Sequence, residues 1–404
     1  MSSFAVVDLG TKKIVAAIAR PAKDGGLEIL AVQRENSRGM GRGVIKNLRE
    51  VKHILKSVIE IAERDSDSVV EDVYINLSGV NADIFTALGK TVVTGETITR
   101  KEILRAIETA KRITIPQHRE IIHVIPTRYI VDDQEVEEPE GMFGTVLQVQ
   151  VQIITHLLTV VKNFENCVER AGFYLKEFVL NQVADIYSLV NDEDRELGVM
   201  IVDIGAETTD VALVLQNEIH KIFSYEIGGK DFTNDIAIGL NTSMKEAERI
   251  KVKYARLFSD TEEEVIKVPL MDGGERNITS NELYSIIFPR AEQLFTWIQE
   301  DIERAGWELK ATSGIMLTGG GSLLSGLKKF ASSFFNTMVR ISGPRNTSRL
   351  LNLDDEFTSP EYSTFVGILK YAQEREQFDG KSSSGFLPSI KNALKNIFGK
   401  KSGG

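Results

Sequence analysis

The 404-residue chain has a single cysteine, Cys167, only nine prolines and two tryptophans. One thiol excludes an intramolecular disulfide framework and fits a reducing compartment. The five histidines, at 53, 118, 123, 156 and 220, lack metal-ligand spacing, which excludes a structural zinc site. His123 lies in an apolar run and reads as a satisfied core histidine, and Cys167 as a buried, inert thiol. No apolar run reaches the roughly 18–20 residues that span a bilayer. A strand is expected from Phe4 onward, leaving no room for a leader ahead of it. Excess positive charge is also missing: the net charge of −10 argues against general nucleic-acid binding. The expectation is a cytoplasmic protein with no transmembrane helix and no nucleic-acid partner.

With 42% hydrophobic and 26% charged residues, the composition is that of a soluble globular protein long enough for two lobes, each with its own core. The charge is uneven, because residues 380–404 hold five lysines and no acid. A basic tail on an acidic body needs its own explanation.

Two loops carry the chemistry. Ala5-Val6-Val7-Asp8-Leu9-Gly10-Thr11-Lys12 and Met200-Ile201-Val202-Asp203-Ile204-Gly205-Ala206-Glu207-Thr208-Thr209-Asp210 are both buried β-branched runs ending in Asp, a hydrophobe and Gly. Glycine lets backbone N–H groups approach an anion, and threonine adds donors. A carboxylate at a strand tip suits Mg²⁺, which keeps waters and substrate phosphates in its shell. One loop per half suggests two related domains closing on one nucleotide.

Periodicity gives strands at 4–9, 14–20 and 27–34, a helix at 47–64 and a strand at 69–77. Residues 81–152 read as an inserted subdomain with strands at 83–88, 121–131 and 146–154, a helix at 100–112 and a solvated acidic loop at 132–140. Helices at 162–171 and 182–190 alternate with strands at 173–180 and 198–203. A second meander at 209–215 and 219–226 precedes helices at 230–239 and 243–257, an acidic insertion near 259–278 and a long helix at 280–305. A strand at 314–317 leads into a glycine turn, and the last globular helix spans 360–376.

Both Asp loops, the glycine turn Gly319-Gly320-Gly321 and the insertion after the first βαβ unit resemble the actin, sugar-kinase and heat-shock-chaperone ATPase superfamily. Within it the chain is most similar to the FtsA family of bacterial cell-division actin homologues. The supporting stretches are Glu120–Pro126, Pro139–Gly144, Ile227–Ala237 and Ala247–Lys251. The resemblance implies an α/β, actin-like two-domain ATPase of duplicated ribonuclease-H-like domains. Subdomain 1A would take 1–81 and 161–192, and the inserted subdomain 1C 82–160. Domain 2 would take 193–358, with 2B at about 240–312, and a helix at 359–378 would return to 1A.

The resemblance also assigns ATP and Mg as cofactors. Asp8, Gly10, Thr11, Lys12 and Lys13 would form the first phosphate loop, and Asp203, Gly205, Thr208 and Thr209 the second. Asp8 and Asp203 would hold the metal through water. Gly228 and Gly229 would lie beside the nucleoside, Glu248 and Lys251 would meet ribose and adenine, and Gly319, Gly320 and Gly321 would pack on adenosine. Either Asn181 or Gln182 stands where relatives carry the residue that orients the attacking water. Ala206-Glu207 replaces the usual glycines, so the expected activity is at most slow ATP hydrolysis.

After a linker at 379–384, Phe386, Leu387, Ile390, Leu394, Ile397 and Phe398 recur at helical spacing, bordered by Lys391 and Lys395. As a helix the thirteen residues from Phe386 to Phe398 would reach about 20 Å against a core of roughly 30 Å, so the amphipathic helix expected at 385–401 would lie on an anionic membrane surface rather than cross it. The family likeness adds partners: the C-terminal peptide of FtsZ, for which Arg290 in 2B is a candidate contact, further copies of the chain in filaments, and downstream divisome proteins. The implied location is the inner face of the cell membrane at the division site. The alternatives are a pilus-assembly homologue like PilM, a small-molecule kinase on the same scaffold, or a chaperone-like ATPase, for which too few residues follow the ATPase core.

Overall fold

The computed structural model describes residues 2–258, 264–306 and 313–380, the last three as backbone only. The expected membrane helix at 385–401, with Phe386, Leu387, Ile390, Lys391, Leu394, Lys395, Ile397 and Phe398, lies outside the described residues.

Two sheets repeat one plan. In the first lobe the order is Tyr174–Leu180, Asp72–Leu77, Phe4–Leu9, Lys13–Pro21, Leu27–Asn36 and Leu350–Leu351. Phe4–Leu9 pairs antiparallel with its meander partner and parallel with Asp72–Leu77. In the second lobe Val199–Ile204 pairs antiparallel with Thr209–Leu215 and parallel with Ile315–Thr318. Every residue of both central strands is buried, which explains their unbroken apolar runs. Each run ends on an aspartate because the strand tip is where the polar seam between the lobes begins.

Helix Leu48–Ser66 covers the first sheet. Asn47 caps it by accepting the N–H groups of Arg49 and Glu50, and Val51, Ile54, Leu55, Val58, Ile59 and Ala62 form its buried stripe. The inserted subdomain builds its own small core. Asp83–Val92, Val146–Leu157, Arg119–Val131 and Gln134–Val136 form a sheet beneath helix Arg100–Ala110, with Ile103, Ile107, Val149 and Val151 between the layers.

Several expectations are corrected. Part of the acidic loop at 132–140 is strand Gln134–Val136, because the Asp132 carboxylate ties the turn by accepting the Thr145 and Val146 N–H groups. Within the acidic insertion, Val265–Pro269 and Glu275–Thr279 pair as a hairpin. Helix Asp192–Leu197 went unread because it is too short for its period to stand out, and Leu327–Phe335, although Leu327, Ala331 and Phe335 keep helical spacing, was passed over beyond the glycine turn. The last helix starts at Ser363 after a 3₁₀ turn and runs to Gly380, taking in the first residues of the expected linker.

Helices Asn181–Leu189 and Ser363–Gly380 pack side by side where the chain passes between lobes. Contact is so close that a β-carbon on Gly367 would lie 1.9 Å from the Ala184 carbonyl oxygen. Gly367→Ala is therefore expected to destabilise the protein by about 1–3 kcal/mol, the usual cost of overpacking, in urea unfolding followed by circular dichroism.

Candidate nucleotide site

The two strand-tip carboxylates, Asp8 and Asp203, are each 8% exposed and face the seam between the lobes. Asp8 Oδ1 accepts a hydrogen bond from Asn76 Nδ2 at 2.9 Å, and Asn76 Oδ1 accepts the Leu9 N–H at 2.7 Å. Asn76 Nδ2 also donates to Asn181 Oδ1 at 3.0 Å, and Asn181 Nδ2 donates to Asp210 Oδ2 at 2.9 Å. A relay of amides thus runs from the first aspartate into the second lobe.

The neighbouring amide, Gln182, is 1% exposed, and its Nε2 donates to Ser224 Oγ at 2.9 Å and to the Phe223 carbonyl at 3.2 Å. A β-carbon on Gly79 would lie 1.9 Å from that nitrogen. Gln182 is therefore lodged in the interlobe contact, and Asn181 is the amide beside the Asp8–Asn76 pair.

On the other side of the seam, Thr364 Oγ1 lies 3.2 Å from Asp203 Oδ2 and 3.1 Å from Asp185 Oδ1. Asp203 Oδ1 is buried without a hydrogen-bond partner. Gly319 packs against this oxygen at φ +77°, where a β-carbon would be strained and only 2.0 Å from it. Burial raises Asp8 to about 6, opposed by the Lys13 charge and the Asn76 hydrogen bond. Burial, reinforced by the Asp210 charge, raises Asp203 to about 7. Asp185 and Asp210 are raised as well, again chiefly by burial.

Four acids confined in this way call for a cation. The unpartnered Asp203 oxygen fits a hydrated divalent ion. Among the described residues no three His, Cys, Asp or Glu side chains converge to bind a metal directly, so waters and phosphate oxygens would complete its shell.

Gly10 follows the strand that carries Asp8, and Thr11 and Lys12 form the bend after it. Lys13 pairs with Glu361 at 2.8 Å and lies 3.3 Å over the Tyr362 ring, on the segment that enters the return helix. In the second loop the Gly205 N–H bonds the Thr208 carbonyl at 2.9 Å, and the Gly229 N–H, next to Gly228, bonds the Gly205 carbonyl at 2.9 Å. The Thr209 hydroxyl is committed to the Ile227 carbonyl at 2.8 Å. Lys251 Nζ reaches the Gly229 carbonyl at 2.8 Å and Glu248 at 2.7 Å, and Lys12 of the first lobe comes within 4.0 Å of Glu248. Gly319, Gly320 and Gly321 open a 3₁₀ turn whose first N–H bonds the Pro360 carbonyl. The residues expected around a nucleoside and its phosphates are thus together along one seam.

Glu207 is neutralised rather than left facing the loop. Its Oε1 is 2.5 Å from Lys230 Nζ, and its Oε2 accepts the Arg42 N–H at 2.8 Å. Burial alone would raise its pKa, but these partners outweigh burial and lower it. Of the other side chains singled out, His123 accepts the Leu180 N–H at 3.0 Å and is lowered to about 3 by burial. Cys167 is fully buried and raised to about 11 by burial. Arg290 is bidentate on Asp235, both bonds at 2.8 Å, and lines a cavity of about 510 Å³ with Ile238, Ile286, Pro289 and Gln293. Asp185, Asp235 and Arg42 were not picked out from the sequence. Asp185 had one usable signal, an acid one helical turn after Asn181 on an otherwise apolar helix.

Duplicated lobes meeting on paired aspartate tips define an actin-like ATPase fold. Two solved structures share it. The PilM–PilN type IV pilus biogenesis complex matches with TM-score 0.61 and 16% identity, covering 92% of this chain and 98% of that one. MreB5 of Spiroplasma citri bound to ADP matches with TM-score 0.58 and 14% identity, covering 95% and 99%.

The chain belongs to the FtsA family of cell division proteins. The family profile "Cell division protein FtsA" matches residues 200–367, and "SHS2 domain inserted in FTSA" matches 79–155. Cell division protein FtsA of Pseudomonas aeruginosa is 32% identical over 94% of this chain and 91% of its own length. Its Escherichia coli K12 counterpart is 31% identical over 91% and 90%. These relatives favour the division family over the pilus-assembly and kinase alternatives.

The raised carboxyls fix a sign for pH dependence. Asp203 ordinarily titrates near 3.8 and here near 7, so the native state holds its proton more tightly than the unfolded chain. Its contribution favours the fold below about pH 4 and drains away as pH rises toward 7. In metal-free buffer Asp203→Asn is expected to gain stability relative to the parent between pH 4 and 7, in parallel urea melts. A constant difference would show that Asp203 titrates normally.

Proposed function

We propose that the chain is an ATP-binding, self-assembling division protein that ties FtsZ to the inner face of the cell membrane at the division site. The observation that carries this reading is the pair of buried strand-tip aspartates, one per lobe, with an unpartnered Asp203 oxygen. Mg-ATP would lie in the seam, with Asp8 and Asp203 holding the hydrated ion. Gly10, Thr11, Lys12 and Lys13 would face phosphates from one lobe, and Gly205 and Thr208 from the other, with Thr209, whose hydroxyl is held by the Ile227 carbonyl, bracing that loop. Gly228, Gly229, Glu248, Lys251 and the 319–321 turn would enclose the nucleoside. The MreB5 structures with ADP and AMPPNP support nucleotide binding on this fold. Bound Mg²⁺ would supply charge neutralisation of the phosphates. Asn181 is the amide left to align a water, and since its two ends are tied to Asn76 and Asp210, turnover would be slow.

Asp203→Ala is expected to weaken binding of a fluorescent ATP analogue in Mg²⁺ at least about tenfold, since a hydrated-metal contact and a charge are lost together. Undiminished binding would remove the seam as the site.

The 2B cavity around Arg290 is the proposed seat of the FtsZ C-terminal peptide. An arginine whose charge is matched by Asp235 and whose plane is fixed by Asp235 and Gln293, with the exposed Ile238 beside it, supplies positioned guanidinium N–H donors and an apolar ledge. Arg290→Ala is expected to lower peptide affinity about tenfold in fluorescence anisotropy, as for anchor residues at interfaces. The described residues include no helix long and apolar enough to cross a membrane. Membrane attachment is assigned to residues 385–401. A single short anchor binds marginally, and many anchors along a filament bind through avidity. A chain ending at residue 384 is expected to stay in the supernatant when anionic vesicles are sedimented, while full-length protein pellets.

A further inference from the structure

The first lobe reaches across the seam with a small hairpin, Met40–Gly41 paired to Val44–Ile45, whose tip is Arg42-Gly43. Both tip residues are left-handed, Arg42 at φ 49° and Gly43 at φ 74°. Asparagine or glycine suits the first of these positions better than arginine does. What arginine adds is a link to the other lobe, since its Nη2 is 2.9 Å from Asp231 Oδ1.

Its backbone makes a second link, because the Arg42 N–H donates to Glu207 Oε2 at 2.8 Å. Glu207 stands in the second phosphate loop, is only 8% exposed, and is pinned from behind by Lys230. The same tip packs close: a β-carbon on Gly43 would lie 3.6 Å from Thr208 Cγ2. Where a glycine stands at position 207, neither carboxylate bond can form.

We propose that this hairpin is a clasp over the second phosphate loop, fastened by Glu207 and Asp231, and that nucleotide enters and leaves only when it unfastens. The proposal rests on the ATP-binding reading above and adds a gate to it. Both fastenings join one lobe to the other, so each hinders entry and exit alike. The clasp therefore sets exchange rates more than equilibrium affinity.

The test is stopped-flow release of a fluorescent ATP analogue, with Mg²⁺, from the full chain and from Glu207→Ala and Arg42→Ala. Unchanged thermal melts would establish that both variants fold. Losing a charge-assisted bond should speed release about tenfold in Glu207→Ala. Arg42→Ala keeps the backbone bond and should be intermediate. Association should also quicken, so that Kd moves less than either rate. Release from Glu207→Ala within about twofold of the parent would overturn the gate while leaving ATP binding intact. A parent chain that takes up no analogue would overturn the ATP-binding reading and the gate with it.

A second readout needs no nucleotide. Amide hydrogen exchange of a peptide covering residues 39–47 should be slower in the nucleotide-free parent than in Glu207→Ala. Equal exchange would mean the clasp is not fastened in solution, which also overturns the proposal.

Discussion

The structure depends on confining negative charge between two lobes. Asp8, Asp185, Asp203 and Asp210 all lie buried where the lobes meet, and each holds its proton more tightly than an exposed carboxyl. Buried acids are tolerated only when neighbours satisfy them or a proton or cation neutralises them. Lys13 bears on Asp8 as a charge, while the hydrogen-bonding neighbours are neutral donors: Asn76 on Asp8, Asn181, Gln182 and Ser224 on Asp210, and Thr364 between Asp185 and Asp203. Amides and hydroxyls stabilise the carboxylates without cancelling their charge, as the proposed divalent ion would.

The same arrangement makes the lobes interdependent. The Asp8–Asn76–Asn181–Asp210 relay crosses from one to the other, and Gln182 repeats the crossing with Ser224 and Phe223. The inserted subdomain adds a third tie, because Gln152 accepts the Ile219 N–H at 3.0 Å and donates to the Ile219 carbonyl at 2.6 Å. Ile201, Ala212, Val214 and Ile219 of the second sheet share the first lobe's apolar core. Asp203 is thereby joined through Thr364 to the head of the return helix, and the second sheet through Gln152 to the inserted subdomain. Glu207 modifies this scheme. Its carboxylate would oppose an anion on the same loop, but Lys230 neutralises it and the Arg42 N–H binds its other oxygen.

Much of the fold was legible because it is periodic. Val51 through Ala62 repeat at helical spacing and are buried as a stripe, and the central strands are apolar throughout because both faces are covered. The aspartate tips were legible because a charged residue closing such a run marks the point where burial ends. Strand Gln134–Val136 was not, being too short to show a period.

The sequence by itself determined the duplicated lobes, the two aspartate loops and the glycine turn, since these follow from local pattern and from residue types with few conformational alternatives. Only the tertiary structure decided where two neighbouring amides go, although both reach Asp210. Asn181 and Gln182 are adjacent and chemically alike, but the first accepts from the Asn76 amide and so joins the relay to Asp8, while the second is buried under Gly79. It likewise decided that Glu207 meets Arg42 and that Asp185 joins Asp203 through Thr364, partners separated by more than a hundred residues. Hydrogen bonds over such distances leave no period along the chain, so they exist only once the lobes have closed.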